Sequence, residues 1–390
     1  MSEGLLSIYI VQLFVCSKRL TEGVLMFNSY FSTMAEQIKL VYLINSLEVG
    51  GAEVGMCRLL DGLDPQEYEV TVLALDGHST SLTSQIPSWV RVVDLQVDSG
   101  IGISTIRALY SAIRTADVLV GSLYHSAMIA RFSRLLRPTA TIATWHHNSL
   151  FKNDFRKSTF QWTTSLSDII LADSEPVSEM LTADLGLDPE LVHTVPIAGI
   201  DLDEYTRVEH HDRKEITVGV VGRLSEQKNH AMVLNVAERL QNRNIQFAIA
   251  GQGELYDTLQ SEIDDRDLQN VTLSGFVENL QSFLTELDIY FQPSRWEGLC
   301  ITVLEAMAAG LPVVGSNVGG IGRNVASGAS GFLYDPNNID GFVSGIRTLS
   351  QDTDLRREFG KRGREIVKEE FTQEVLVSEF ERAVHSNESN

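Results

Sequence analysis

The chain has 390 residues, 43% of them hydrophobic, and a formal net charge of −21; it is longer than the roughly 250 to 300 residues at which a single core stops growing, so two domains are expected. That negative charge excludes general affinity for nucleic acid, whose phosphates it repels, though not a local basic patch. The three cysteines, Cys16, Cys57 and Cys300, lack metal-ligand spacing and are odd in number, which excludes a disulfide framework and fits a reducing cytoplasm.

In chain order, the apolar run from Leu5 to Val15 is too short to span a bilayer and has no basic flank, so neither a signal peptide nor a membrane anchor is expected. Residues 1–37 read as a dispensable N-terminal extension, with the functional domain starting near Met34. From Ile38 the first half offers "IKLVYLI", "EVTVLAL", "DVLVGS", "ATIAT" and "DIILAD" as strands. The second half offers "EITVGVVG", "QFAIAG", "VTLSGF", "DIYFQP" and "PVVGS". Short, nearly all-apolar strands separated by helical stretches indicate parallel sheets covered on both faces. The fold class is therefore α/β, with two doubly wound Rossmann-like domains over residues 38–205 and 206–370, joined through the charged, strand-poor segment from Asp201 to Glu215.

Ligands of such sheets bind beyond the carboxyl ends of the strands, so the following loops carry the functional reading. Gly50 and Gly51 follow the first strand without dinucleotide-fingerprint spacing. His125 follows "DVLVGS", and His146 and His147 follow "ATIAT"; a lone histidine in such a place is most often a satisfied structural residue. Arg223 and Lys228 lie between the first strand of the second half and a helix beginning near His230, well placed to neutralise a diphosphate. Further on, "SRWEGLCITVLEAMAAGLPVV" (Ser294 to Val314) carries Glu297 and Glu305 in an otherwise almost uncharged stretch. Ile301 to Ala309 read as a buried helix that Gly310 ends, leaving Glu297 and Gly298 at its mouth and Glu305 within it. Such a helix start suits a phosphate. The plainer reading makes Glu297 a helix-start acid and Glu305 a surface residue.

Between residues 131 and 157 stand Arg131, Arg134, Arg137, Lys152, Arg156 and Lys157 against one acid, Asp154. This local reversal of sign is either a solvated helical face or a contact for an anionic membrane surface or a phosphate-bearing lipid acceptor.

Taken together, Gly50-Gly51-Ala52-Glu53, Gly222-Arg223 to Lys228, Gly251-Gln252-Gly253 and the E-x7-E block with "LEAMAAGLPVV" resemble the retaining GT-B glycosyltransferases of family 4, the group 1 glycosyl transferases. The resemblance runs from about Ile38 to the C-terminus. It implies a first domain on the acceptor side and a second that binds a nucleotide sugar across a cleft. Residues 371–390 would supply a final helix packing back on the first domain, with a tail. Arg223 and Lys228 would bind the donor diphosphate, Glu305 the ribose hydroxyls, Glu297 hydroxyls of the donor sugar, and Val277 would line the base pocket. Backbone groups of Gly298, Leu299, Cys300, Ile301 and Thr302 would support sugar and phosphate, while Gly50 and Gly51 let the first domain close. A histidine reaches the sugar in similar enzymes. His147 is favoured because a His-Asn pair is the commoner pattern, with His146 and His125 kept as candidates. The implied protein is a retaining hexosyltransferase-type enzyme of surface polysaccharide or glycoconjugate synthesis. It would need no metal or other cofactor and would take a UDP- or GDP-linked sugar to a glycan or lipid-linked acceptor. It would be cytoplasmic or peripheral on the inner membrane face through residues 131–157, with no nucleic acid partner. The alternatives are a catalytically idle scaffold of the same fold and a sugar-nucleotide epimerase. Three positions depart from the family pattern: Gly322-Arg323 stands where Pro-Glu is usual, Ala198 where Asn is common, and Cys300 where Gly, Pro or Ser is often found.

Overall fold

The computed structural model describes residues 37–76, 82–96, 103–148, 150–151, 153–212 and 214–386. The expected extension with its Met34 start, Cys16 and Lys152 lie outside the described residues. The first sheet contains β1 (Ile38–Ser46), β2 (Tyr68–Asp76), β3 (Arg91–Asp94), β4 (Val118–Ser122), β5 (Thr141–His146), β6 (Ile169–Ala172) and β7 (Val192–Thr194). The strands lie in the order β3-β2-β1-β4-β5-β6-β7, and every pair is parallel. Helices α1 (Gly51–Gly62), α2 (Ile103–Ile113), α3 (Tyr124–Phe132), α4 (Asp154–Thr163) and α5 (Glu175–Glu179) accompany it.

The second sheet contains β8 (Ile216–Val221), β9 (Ile245–Ala250), β10 (Val271–Gly275), β11 (Ile289–Gln292), β12 (Val313–Ser316) and β13 (Gly331–Tyr334), in the order β10-β9-β8-β11-β12-β13. Its helices are α6 (His230–Leu240), α7 (Tyr256–Asp265), α8 (Leu280–Thr285), α9 (Ile301–Ala308), α10 (Gly319–Asn324), α11 (Ile339–Gln351) and α12 (Thr353–Glu370); α13 (Gln373–His385) follows. This is the expected pair of doubly wound α/β domains. β3, β7 and β13 add edges that the sequence pattern did not reveal. They are only three or four residues long and partly exposed, so they lack the apolar run that marks the inner strands.

In each sheet the strand order reverses at one place, between β1 and β4 and between β8 and β11. The crevice above such a switch point is where open α/β sheets bind ligands. The Gly50-Gly51 loop leaves β1, the Arg223–Lys228 loop leaves β8 and the Glu297 loop leaves β11, so topology alone brings them to one region. Helix α13 returns to the first domain, where Phe380 stacks on Trp145 with ring centroids 6.0 Å apart and Gln373 Nε2 donates to the Arg58 carbonyl at 2.8 Å. One core cluster accordingly runs through both domains, from Leu40 and Trp145 to Met307 and Phe380.

The basic stretch needs correction. Arg131 is fully buried, its guanidinium donating to Ser167 Oγ, Phe160 O, Thr163 Oγ1 and Thr144 Oγ1 at 2.8–3.2 Å and lying over the Phe160 ring. It is neither a solvated face nor a membrane contact; it ties the ends of α3 and α4 to the sheet. Arg134 pairs with Asp168, and Arg137 donates to the Ala116 carbonyl. Among the described residues no helix is long and apolar enough to cross a membrane.

Because a planar fork with several donors satisfies all four acceptors, Arg131→Ala is expected to cost at least about 2 kcal/mol. Arg131→Lys should recover little of it. Urea unfolding midpoints of the three proteins check both statements.

Candidate active site

The site grows from the end of β11. Buried side chains form a relay there: Tyr290 Oη donates to Gln292 Oε1 (3.0 Å), Gln292 Nε2 to Ser294 Oγ (2.8 Å), and Ser294 Oγ to Glu297 Oε1 (2.7 Å). Lys228 Nζ reaches the same oxygen at 2.7 Å from the loop after β8, while Gln227 Nε2 donates to Glu297 Oε2 at 3.3 Å. Glu297 is therefore held on both oxygens, and its side chain is only 6% exposed. Burial by itself would lower the Lys228 pKa, but the Glu297 carboxylate overrides it and holds the ammonium above its ordinary range. Arg223, five residues earlier, is exposed.

Gly298 follows Glu297 and faces the first domain; a Cβ there would collide with the carbonyl oxygen of His147. Leu299 is buried, and Cys300 takes left-handed backbone angles (φ 60°) as it opens α9. Burial, reinforced by the Glu297 charge, pushes the Cys300 thiol up to about 12, so it is not a nucleophile near neutral pH. Ile301 lies opposite Gly51, where a Cβ would come within 3.7 Å of Ile301 Cδ1. Thr302, in the first turn of α9, lies 3.8 Å from Cys300 through its Oγ1.

Glu305 is buried rather than a surface residue. Its Oε1 accepts from Arg58 Nη2 of α1 at 2.6 Å and from Tyr205 Oη of the linker at 3.1 Å, and Arg58 also donates to the Ala198 carbonyl. The second acid of the block is thus spent, on one oxygen, in a bridge between the domains. Val277, after β10, is half-buried.

The histidines separate. His147 reaches the interdomain contact, its Nε2 2.8 Å from Ser122 Oγ. His146 points to the other face of the sheet, against Phe151 and Phe160, and is not brought to Glu297. His125 is exposed beside Tyr124 and Arg156. Sequence reasoning assigned no role to Arg58, Ser122, Asp173 or Tyr205. Nor did it assign one to Glu53, whose carboxyl folds back against Gly50 and whose pKa burial raises, opposed first by a backbone hydrogen bond. Arg58 alone left a trace, on the helical face of α1 that also carries Gly51 and Gly55.

With this geometry in hand, the chain matches the family described as Glycosyltransferase Family 4 over residues 49–204 and the family described as Glycosyl transferases group 1 over residues 201–366. The chain belongs to the group 1 glycosyl transferases. It is 27% identical over 251 residues to the Escherichia coli UDP-Gal:alpha-D-GlcNAc-diphosphoundecaprenol alpha-1,3-galactosyltransferase, covering 58% of this chain and 64% of that one. It is 25% identical to the Campylobacter jejuni N-acetylgalactosamine-N,N'-diacetylbacillosaminyl-diphospho-undecaprenol 4-alpha-N-acetylgalactosaminyltransferase, covering 60% of this chain and 66% of that one. The match therefore spans about two-thirds of each relative's length. Among solved structures, Anabaena Alr3699/HepE in complex with UDP-glucose superposes with a TM-score of 0.78 at 18% identity, covering 90% of this chain and 100% of that one. At that identity the superposition speaks for the fold, which this member of the group shares.

Two consequences of the site are measurable. Arg58→Ala leaves Glu305 buried without its charge partner and is expected to destabilise the chain by about 3–5 kcal/mol, read by chemical denaturation. His146 is pushed down to about 3, by burial first and then by His147 and Arg131. Its folded pKa lies below the unfolded value of about 6.5, so its contribution is complete above about pH 6.5 and is lost as pH falls toward 3. His146→Phe should therefore flatten the pH dependence of the unfolding free energy between about pH 6 and 4 by up to about 1.4 kcal/mol per pH unit.

Proposed function

We propose that this protein transfers a hexosyl group from a nucleotide-diphosphate sugar to a hydroxyl of a lipid-linked or glycan acceptor, with retention at the anomeric carbon. The observation that carries the reading is the buried Lys228–Glu297 pair, held at 2.7 Å beside the exposed Arg223 at the switch point of the second sheet. As the bond from the sugar to the diphosphate breaks, its electron pair passes to a phosphate oxygen. Arg223, Lys228 and the N–H groups of the first turn of α9 stabilise that charge. Glu297, kept in place by Ser294 and Gln227 when Lys228 turns to phosphate, receives sugar hydroxyls, and Glu305 keeps Oε2 for the ribose. Two side-chain cations and a helix terminus supply the charge that a metal supplies elsewhere, so chelation with EDTA is expected to leave turnover unchanged. Retention is inherited from the family resemblance and is read from the product's anomeric coupling constant.

A UDP-sugar transferase among the relatives and UDP-glucose in the Anabaena complex favour UDP over GDP as the donor nucleotide. Both relatives named above act on undecaprenol-diphosphate-linked sugars, which favours a lipid-linked acceptor here. The first domain offers a place for one at the membrane surface. Leu135, after α3, and Phe155 and Trp162 of α4 are 76%, 73% and 78% exposed, and Arg156 and Lys157 lie on α4 with the last two. A cavity of about 240 Å³ whose lining includes Leu150, Phe151, Met180 and Lys157 together with the acids Asp154 and Asp184 opens beside the same helix.

Calorimetric titration of UDP, GDP and ADP tests the donor site. One nucleotide should bind, and Arg223→Ala and Lys228→Ala should each weaken it about tenfold to a hundredfold or more. Absence of binding overturns the transferase in favour of an idle scaffold, and conversion of a donor without any acceptor would mark an epimerase. Flotation with anionic vesicles tests the surface: the native chain should float with them, and a Phe155→Ser/Trp162→Ser variant should remain in the soluble fraction.

A further inference from the structure

Strand β11 is buried on both faces, and its alternate residues divide accordingly. Ile289 and Phe291 enter the core of the second domain, while Tyr290 turns to the core that runs through both domains. A strand so placed is expected to be apolar throughout. Gln292 closes it instead, and Ser294 follows two residues on, both fully buried. A glutamine is rarely enclosed so completely, and its amide calls for an explanation.

The hydrogen bonds give that amide a direction. Burial, and after it the neighbouring Cys300, holds the Tyr290 phenol well above its ordinary pKa, so the hydroxyl keeps its proton and donates. It finds Gln292 Oε1 at 3.0 Å and the Val221 carbonyl at 3.3 Å. With Oε1 so engaged, Nε2 fills the accepting side of the Ser294 hydroxyl at 2.8 Å, which leaves the hydroxyl proton for Glu297 Oε1 at 2.7 Å. A flipped amide would take that proton and set a serine lone pair against the carboxylate. The same Glu297 oxygen accepts from Lys228 Nζ, a cation on a flexible four-carbon stem. Ser294, on its short tether, is the donor that stays on this oxygen when Lys228 leaves.

We infer that Gln292 is a positioning residue for donor-sugar recognition: by turning the Ser294 proton toward Glu297, it keeps that acid in place for sugar hydroxyls once Lys228 has moved to the diphosphate. The inference rests on the transferase reading and adds to it a residue that touches no substrate and acts only through Ser294. Loss of the amide should therefore spare the diphosphate and weaken the hold on the sugar.

Titrations of UDP, UDP-glucose, GDP and GDP-mannose into the full chain at about pH 6 and about pH 9 test it, with Gln292→Leu and Gln292→Glu beside the native protein. Both variants leave Tyr290 the Val221 carbonyl and Ser294 the Glu297 carboxylate, so both are expected to fold. Gln292→Leu should bind the free nucleotide within about twofold of native and the sugar nucleotide about tenfold or more weakly at either pH. Gln292→Glu has the shape of the amide at both pH values, but its carboxyl donates to Ser294 only while protonated, a state that burial and the Glu297 charge favour. Relative to free nucleotide, its affinity for the sugar nucleotide should lie within about threefold of native at the lower pH and fall about tenfold or more at the higher. Lys228, held above its ordinary range, and the Cys300 thiol, pushed up to about 12, keep their charge states across this interval. Native-like sugar-nucleotide binding by Gln292→Leu, equal effects on both kinds of ligand, or a Gln292→Glu protein indifferent to pH overturns the role of Gln292 and leaves the transferase standing. A native chain that binds none of the four removes the transferase reading and this inference with it.

Discussion

One carboxylate oxygen holds the molecule's two halves in register. Glu305 Oε1, on α9 of the second domain, receives Arg58 from the first domain and Tyr205 from the linker, while Arg58 grips the Ala198 carbonyl and its own carbonyl accepts from Gln373 of the last helix. Four segments far apart in the chain thus converge on a buried ion pair, whose attraction is strong because little water screens it. Its value lies in registration more than in net energy, since desolvation of both charges offsets much of the gain. With that register set, Gly51 meets Ile301 and Gly298 meets the His147 carbonyl, and every cleft distance depends on these contacts.

The electrostatics of the cleft run against the charge of the whole. In a chain of net charge −21, the acids that face the site are paired with cations, Glu297 with Lys228 and Glu305 with Arg58, while burial raises the pKa of Glu53. What remains at the mouth is the exposed Arg223 and the amino end of α9. An anion at this mouth therefore meets positive potential at short range although the protein repels polyanions at long range. The same division explains why Cys300, although it opens a helix, is an unreactive thiol: it is desolvated and sits beside an acid.

The periodicity of apolar runs made the inner strands and the two-domain plan legible, because a strand buried on both faces has to be apolar at every position. The short edges β3, β7 and β13 escaped, since an edge strand needs only a few half-buried residues to complete a ladder. Loop chemistry after β8 and β11 was legible too: Lys228 and Glu297, 69 residues apart, were both candidates before their contact was known. Arg131 was misread because sequence shows its charge and not its surroundings; only the packing of α3 against α4 encloses it.

By itself, then, the sequence determined the alternation of strand and helix, the placement of glycines, cations and acids after particular strands, and the family to which these belong, because all of these are local patterns. Tertiary structure alone decided which of two adjacent histidines faces the cleft, since neighbouring residues at a strand end point to opposite sides and only β5's place in the sheet says which side is which. It also decided that Glu305 spans the domains, and that Ser122 and Asp173 meet His147, because those partners come from separate segments whose distances are fixed only when parallel strands assemble into one sheet.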